Sequence, residues 1–309
     1  MKKIIFLLTL IIFSCKNNTI SYESVIKDDA FRKKVLSTNN GAYIKLTDGF
    51  TYYEEKNASS DKGTVILVHG FSVPSYIWDP TTNYLTELGY RVVALDLYGR
   101  GYSSNPDIPQ TDTLRANQVL ELMSSLKIDS AIVCGLSNGG RIISKMASLQ
   151  PTKIEGLIYV SSSSFETHVE QNNKTVSEKE INDYIATYPE KAIGQLEDFY
   201  QPEKFTNWPE LYEELLTHKG FAKALISTRK NIVTLDDIHL EINDMGIPVY
   251  TIWGVHDKVV LYDSFKEKLD SILPNRKEVF IDAAAHLPHM ENSIEFERYF
   301  KIFIDEIIK

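Results

Sequence analysis

The sequence predicts an α/β fold with a mostly parallel, doubly wound sheet. Several β-branched runs are apolar on both faces, as strands buried between two helical layers must be. Helical patterns, with apolar residues three and four positions apart, fill most of the intervals between these runs. Strands and helices that alternate in this way indicate a sheet covered by helices on both sides.

The folded part of the chain starts with a predicted β-hairpin. Residues 42–46 and 50–54 both alternate apolar and polar, and Thr47-Asp48-Gly49 between them is a turn sequence. Buried strands are predicted at residues 64–68, 90–95, 131–136, 156–160, 249–253 and 279–281. Helices are predicted over about 76–88, 113–126, 138–149, 262–273 and 294–308.

One interval breaks the alternation. Residues 165–245 contain no β-type run, are acidic and helical in pattern, and are rich in aromatic side chains. Such a segment inside an α/β chain predicts a helical insertion above the sheet, with residues 25–164 and 246–309 forming the core. We expect the aromatic rings to form mainly the core of the insertion and its contact with the sheet domain, while some line a ligand pocket.

The N-terminus has the pattern of a targeting signal. Two lysines are followed by a mainly apolar stretch of ten residues at 4–13, too short to cross a bilayer of ~30 Å, and then by Ser14-Cys15. The Ile12–Cys15 ending resembles a bacterial lipoprotein signal, which implies cleavage before Cys15 and its acylation. Residues 1–14 are then a signal peptide and 15–24 a tether to the membrane. An ordinary secretory signal is the alternative, and either one predicts an exported protein.

Composition narrows the function classes. The net charge of -9 and the lack of a Lys/Arg cluster argue against nucleic acid as a partner. Only two cysteines are present, so no disulfide framework is predicted. With 43% hydrophobic residues the chain has enough apolar side chains for a large core.

A candidate nucleophile lies where one strand meets a helix. Gly135-Leu136-Ser137-Asn138-Gly139 fits G-x-S-x-G, in which the serine occupies a strained turn and the glycines allow close backbone approach. The five residues alone could be a surface loop. The apolar run before Ser137 and the helical pattern after it favour a nucleophile elbow.

A serine hydroxyl needs a base, and the base needs a carboxylate that orients it. Ser137, Asp257 and His286 supply this set in the chain order expected on such a sheet. Asp257 follows the strand at 249–253, and His286 follows the last strand.

Two neighbours compete for these roles. Asp96 precedes the serine, and the loop after it indicates that it braces that loop. His289 is three residues beyond His286, which is closer to the strand end and is therefore the preferred base. H-x-x-H is not the zinc motif H-E-x-x-H, and no metal or organic cofactor is expected.

The oxyanion of a tetrahedral intermediate needs two hydrogen-bond donors. The backbone N–H groups of Asn138, just after the nucleophile, and Phe71, in the turn after the first buried strand, are predicted to supply them. His69 ends that strand and is expected to have a structural role.

Five segments together resemble the successive motifs of the α/β-hydrolase superfamily. They are 69–71 (HGF), 96–103 (DLYGRGYS), 135–140 (GLSNGG), 253–257 (WGVHD) and 286–291 (HLPHME). The resemblance covers about residues 40–309 and implies that the insertion is a helical cap over the active site. A serine at the elbow argues against the dehalogenase and epoxide hydrolase branches. Asn138 departs from similar lipase-like members, which often carry methionine there.

The sequence therefore predicts a serine hydrolase that cleaves small apolar or monoacylglycerol-like carboxylic esters and is held at a membrane by its lipid anchor. Hydrolysis of a C–C bond, as in meta-cleavage-product hydrolases, or of a lactone by the same three residues is the alternative within the fold. A membrane-anchored binding protein without turnover is the alternative of another class.

Overall fold

The computed structural model describes residues 20–309, so the predicted signal peptide at 1–14 and the predicted acylation site Cys15 lie outside the described residues. One eight-stranded sheet runs through the structure. Its strands are β1 (Ala42–Lys45), β2 (Phe50–Lys56), β3 (Thr64–Val68), β4 (Arg91–Leu95), β5 (Ala131–Leu136), β6 (Ile154–Val160), β7 (Val249–Gly254) and β8 (Lys277–Ile281). Their order is β1-β2-β4-β3-β5-β6-β7-β8. β2 is antiparallel to β1 and β4, and all other neighbours are parallel, which confirms the predicted fold class.

Helices cover both faces of the sheet. They are α1 (Asp29–Thr38), α2 (Asp79–Glu87), α3 (Asp112–Ser125), α4 (Asn138–Leu149), α5 (Glu178–Ala186), α6 (Tyr188–Gly194), α7 (Trp208–Leu216), α8 (Phe221–Lys230), α9 (Asp236–Asp244), α10 (Lys266–Ile272), α11 (Pro288–Glu291) and α12 (Ser293–Ile308). The Thr111 hydroxyl accepts the Leu114 N–H and caps α3.

Strand β3 shows why the buried runs are apolar throughout. Val65 and Leu67 point into the core shared with α2 and α12, while Ile66 and Val68 point into the core shared with α3 and α4. Successive side chains of a strand alternate between faces, so a strand covered on both sides needs apolar residues at every position.

Between β6 and β7 the described chain is helical, as the sequence predicts. We call α5–α8 and their connections, residues 178–230, the cap. Cap side chains such as Phe199, Trp208 and Leu225 join the same apolar cluster as Leu136 and Val160 of the sheet. The cap is therefore packed onto the edge of the sheet where the parallel strands end.

The last helix of the insertion packs differently. Helix α9 lies against α4, its Ile242 joins the core on that face, and its His239 Nε2 is 3.1 Å from the Ser144 hydroxyl. By its contacts α9 belongs to the layer beside the sheet. The segment 165–245 thus contains one helix that packs with the core.

The predicted tether covers residues 15–24, of which the structure describes 20–24, and Glu23 in this part is hydrogen-bonded to the cap. The Glu23 N–H donates to Leu216 O at 3.0 Å, and the Val25 N–H donates to Thr217 O at 2.9 Å. The Glu23 carboxylate accepts hydrogen bonds from the N–H groups of Gly220 and Ala222 at the start of α8. Since α8 has no side-chain cap of its own, Glu23 satisfies its free N–H groups and docks the N-terminal segment on the cap.

Across residues 20–309, none of the helices combines the length and the apolar composition that a membrane crossing requires.

Candidate active site

Ser137 occupies the turn between β5 and α4. Its φ of 51° and ψ of -120° lie outside the regions that non-glycine residues ordinarily adopt. Backbone hydrogen bonds hold this conformation: the Ser137 N–H donates to Val160 O at 2.8 Å, and the Ser137 carbonyl accepts from the N–H groups of Gly140 and Ser163. A serine with a strained backbone, at the turn from a central strand to a helix, is typical of a nucleophile elbow.

The glycines around Ser137 are required by close contacts. A Cβ on Gly135 would lie 2.6 Å from the carbonyl carbon of Gly139, and one on Gly139 would collide with Val68 O. On the other side of the serine, a Cβ on Gly70 would lie 3.3 Å from Ser137 Cβ. The turn after β3 therefore packs directly against the serine side chain.

Asp257 and His286 are paired. The His286 Nδ1 atom lies 2.9 Å from Asp257 Oδ2, and the two side chains are only 7% and 4% exposed. The other carboxylate oxygen of Asp257 accepts the N–H groups of Val259 and Val260. These bonds fix the carboxylate, which in turn places the Nδ1 proton and leaves Nε2 as the free basic nitrogen.

The charges around His286 favour its protonated form. Burial alone would lower its pKa, but the Asp257 carboxylate, with Asp198 and Glu291 further away, holds the pKa above the ordinary value. An imidazolium formed during a reaction would therefore be stabilised at this position.

The serine and the base are not joined by a hydrogen bond in the structure. Within residues 20–309 the Ser137 hydroxyl makes no hydrogen bond to His286, although both side chains stand at the edge where β5, β7 and β8 end. Catalytic hydrogen bonds are often long in ligand-free sites and tighten when substrate binds.

The residues predicted to bind the oxyanion flank Ser137, and both are fixed by arginines that sequence analysis missed. Arg100 Nε donates to Phe71 O at 2.8 Å, and Arg100 Nη2 donates to the Thr228 hydroxyl of α8 at 2.8 Å. Arg115 Nη1 donates to Asn138 Oδ1 at 2.8 Å. Both arginines are completely buried.

Arg115 belongs to a buried ion-pair network behind the elbow. Asp112 accepts from Arg115 at 3.0 Å and from Arg141 at 2.7 Å, and burial lowers the pKa of Arg115 to about 10. The spacing of Asp112 and Arg115, three residues apart on a helix, was the only signal in the sequence. It shows a pair but not its contact with Asn138.

The competing residues have other partners. Asp96 is buried and accepts from the Ser75 hydroxyl at 2.6 Å and from the Tyr102 N–H at 2.7 Å. His69 accepts the Leu97 N–H at Nε2 and donates from Nδ1 to Gly70 O, so both nitrogens of its ring are occupied. Both residues brace the loops after β3 and β4.

His289 is bound to other partners, Ile77 and Trp78. Its Nε2 donates to Ile77 O at 3.0 Å, and its ring packs 4.6 Å from that of Trp78. Burial lowers its pKa to about 3, so the ring is neutral. His286 and His289 therefore have different hydrogen-bond partners. Within residues 20–309, no group of three His, Cys, Asp or Glu side chains is arranged to hold a metal ion.

Several aromatic side chains of the cap pack against the sheet, and one cap arginine lies beside Phe71. Tyr188, Phe199, Trp208, Tyr212 and Phe221 are buried in the cluster shared with the sheet. Around the candidate site, the Arg229 guanidinium lies 5.0 Å from the centre of the Phe71 ring and 5.7 Å from that of Tyr184. Arg229 is exposed, and its guanidinium contacts both Phe71, next to the candidate site, and Tyr184 of the cap.

The profile of the α/β-hydrolase fold family matches residues 63–239, more than half of the chain. The chain therefore belongs to the α/β-hydrolase fold family, and it is a hydrolase.

Similar proteins include several esterases. The AB hydrolase superfamily protein YfhM of Bacillus subtilis is 26% identical over 263 residues, which cover 78% of this chain and 89% of YfhM. A pimeloyl-acyl-carrier-protein methyl ester esterase of Aliivibrio fischeri is 23% identical over 82% of this chain and 97% of its own. The crystal structure of a membrane phospholipase A has a TM-score of 0.71 at 22% identity, over 90% of this chain and 91% of its own, which shows the shared fold.

Proposed function

We propose that the protein is a serine hydrolase that cleaves carboxylic esters through an acyl-enzyme on Ser137. The observation that carries the proposal is the Asp257–His286 pair, 2.9 Å apart and buried, at the same sheet edge as the strained Ser137. Asp257 fixes the tautomer of His286, which can then accept a proton at Nε2.

The reaction proceeds in two halves. Ser137 Oγ attacks the ester carbonyl carbon while its proton passes to His286 Nε2, and the carbonyl oxygen becomes an oxyanion. When the intermediate collapses, the C–O bond to the alcohol breaks and the alcohol takes the proton from His286. Water then attacks the acyl-serine with His286 again as base, releasing the carboxylic acid and restoring Ser137.

The N–H groups of Phe71 and Asn138 are the proposed oxyanion donors. Two arginines support this assignment. Arg100 donates a hydrogen bond to the carbonyl of Phe71, and Arg115 donates one to the side chain of Asn138. Donors that are already oriented stabilise the oxyanion without reorganisation during the reaction.

The cap supports the proposed substrate class. Its aromatic and aliphatic side chains share one apolar cluster with the sheet next to Ser137, which suits a small apolar or monoacylglycerol-like acyl chain. The name of the Aliivibrio relative also denotes a methyl ester of a carboxylic acid as substrate.

The N-terminal sequence supports export and lipid anchoring through Cys15 as part of the same proposal. A lipid-anchored enzyme would act on esters at a membrane of the cell envelope. Labelling the protein with radioactive palmitate, with and without Cys15→Ala, tests the anchor; label that persists in the variant would refute it.

Ser137→Ala tests the reaction. Turnover of p-nitrophenyl esters should fall by ~10⁴-fold or more, and a fluorophosphonate probe should no longer label the protein. Undiminished turnover would refute the role of Ser137. A panel of esters of increasing chain length, with a lactone and a dienone, then separates ester hydrolysis from lactone or C–C bond hydrolysis. If none of these compounds is turned over, the protein is better explained as a binding protein.

A further inference from the structure

The loop that carries His286 is held by the cap as well as by Asp257. The His286 N–H donates to the carbonyl of Asp198, which lies between α6 and α7, at 3.0 Å. Two residues further along the cap, the ring of Tyr200 stacks on that of His256 at 4.0 Å and 9°. The cap segment 198–200 therefore contacts both loops that carry the acid and the base.

Glu291 joins these two parts of the molecule. Its Oε1 accepts the N–H of Ala285, the residue before His286, at 2.8 Å, and its Oε2 accepts the N–H of Tyr200 at 2.6 Å. One carboxylate thus bridges the main chain of the histidine loop and the main chain of the cap. Hydrogen bonds to a charged acceptor are shorter and stronger than neutral ones, so this bridge is a firm link.

We propose that Glu291 is a positioning residue that orients His286 by fixing its loop to the cap, so that the base is correctly placed only when the cap is seated. The inference rests on the proposed function, in which His286 is the base. It concerns the main chain around His286, whereas Asp257 fixes the ring.

The proposal makes the reaction sensitive to small movements of the cap. A displacement of about 1 Å at a catalytic group can reduce a rate by ~10²-fold. Without Glu291 the loop at residues 284–287 keeps a single main-chain bond to the cap, from His286 to Asp198. We therefore expect the rate of the chemical step to fall more than substrate affinity.

Glu291 also contributes charge. The charged groups that face His286 come from four elements: Asp257 after β7, Asp198 in the cap, Glu291 on α11 and Glu166 after β6. His289, which is neutral, is also close enough to His286 for their charges to interact. Removing the charge of Glu291 should lower the pKa of His286, so the neutral base persists to lower pH.

Glu291→Gln is the test. In the full-length enzyme kcat for a p-nitrophenyl ester should fall about 10- to 100-fold with little change in KM, and the acid limb of the kcat/KM profile should move to lower pH. Glu295→Gln removes a carboxylate four residues further along, on α12, and should leave both unchanged. Wild-type kcat and an unmoved acid limb in Glu291→Gln would overturn the proposal.

Glu291→Asp separates geometry from charge. The shorter side chain keeps the charge but cannot span both N–H groups, so kcat should fall while the acid limb stays near its wild-type position. If Glu291→Gln fails to fold, Glu291→Asp decides: wild-type kcat in that variant would refute the positioning role.

Failure of the inference can be told from failure of the proposed function. An active Ser137→Ala removes the serine mechanism whatever Glu291 does. An inactive Ser137→Ala together with a fully active Glu291→Gln removes only the role of Glu291.

Discussion

The Nδ1 atom of His286 lies 2.9 Å from Oδ2 of Asp257, in surroundings that exclude nearly all water from both side chains. The second oxygen of Asp257 is occupied by two backbone N–H groups, so the carboxylate has little freedom to turn away. Buried charges persist in a protein only when they are paired and hydrogen-bonded. The pair is thus fixed in one orientation, with His286 Nε2 as its only free basic site.

If the proposed mechanism holds, Asp257→Asn should lower kcat by ~10⁴-fold, as removal of the orienting carboxylate does in known serine triads, because the amide can stabilise the wrong tautomer of His286. The acid limb of kcat/KM should also move to lower pH. In the proposed reaction activity requires neutral His286 and rises with pH through the pKa of His286, which the Asp257 charge holds above the ordinary value.

A pH–rate profile of this variant checks both expectations. Asp263→Asn, which removes an exposed carboxylate six residues further along the chain, is the control. Nearly normal turnover in Asp257→Asn would show that another carboxylate orients His286.

His289→Gln should retain activity and change the pH dependence of stability. The folded state keeps His289 neutral with a pKa of about 3, while the unfolded chain binds a proton below about 6.5. The stability that depends on the neutral ring is therefore present above pH 6.5 and is lost as the pH falls.

Between pH 6 and 4, wild-type stability relative to His289→Gln should decrease by about 1.4 kcal/mol per pH unit. Urea unfolding of the two proteins at several pH values measures this difference. Parallel stability curves would contradict the buried neutral state, and loss of activity in His289→Gln with activity retained in His286→Ala would transfer the role of base to His289.

Sequence reasoning goes far on this chain because the strands and the motifs are local signals. The alternation of buried runs and helices predicts the sheet, and chain order singles out Asp257 and His286, which the structure brings together. The contacts of Arg115 with Asn138 and of Glu291 with Tyr200 leave no such signal. Asn138 lies 23 residues from Arg115 along the chain, and Tyr200 lies 91 residues from Glu291. Only the tertiary structure reveals these contacts.

The N-terminal segment shows the same limit in another way. Residues 15–24 are polar and look like a linker, because sequence composition does not reveal that Glu23 meets uncapped N–H groups nearly two hundred residues away. Helix ends without a local cap are places where distant residues can bind.

Asp112→Asn should destabilise the protein by about 3–5 kcal/mol, because it leaves Arg115 and Arg141 buried without a counter-charge. Asn138→Ala removes only one acceptor of Arg115, so its cost should be smaller, about 1–3 kcal/mol. Denaturant unfolding of both variants gives the comparison. An equal or larger loss in Asn138→Ala would mean that the arginine pair does not depend on Asp112.

Glu23→Ala should loosen the start of α8 without unfolding the core. The carboxylate accepts hydrogen bonds from the Ala222 N–H at 2.8 Å and from the Tyr188 hydroxyl at 2.6 Å, and it replaces the missing helix cap. Loss of a cap typically costs about 0.5–2 kcal/mol.

Hydrogen exchange of the amides at 220–224 measures this local effect, and exchange there should become faster in Glu23→Ala while the amides of β3 and β5 keep their protection. Asp28→Ala is the matched control, because Asp28 caps α1 through the Phe31 N–H at 2.9 Å and should affect only that helix. Since α8 also carries Thr228, whose hydroxyl binds Arg100 next to Phe71, a loosened α8 should further reduce kcat modestly. Unchanged exchange at 220–224 would show that the N-terminal segment rests on the cap without stabilising it.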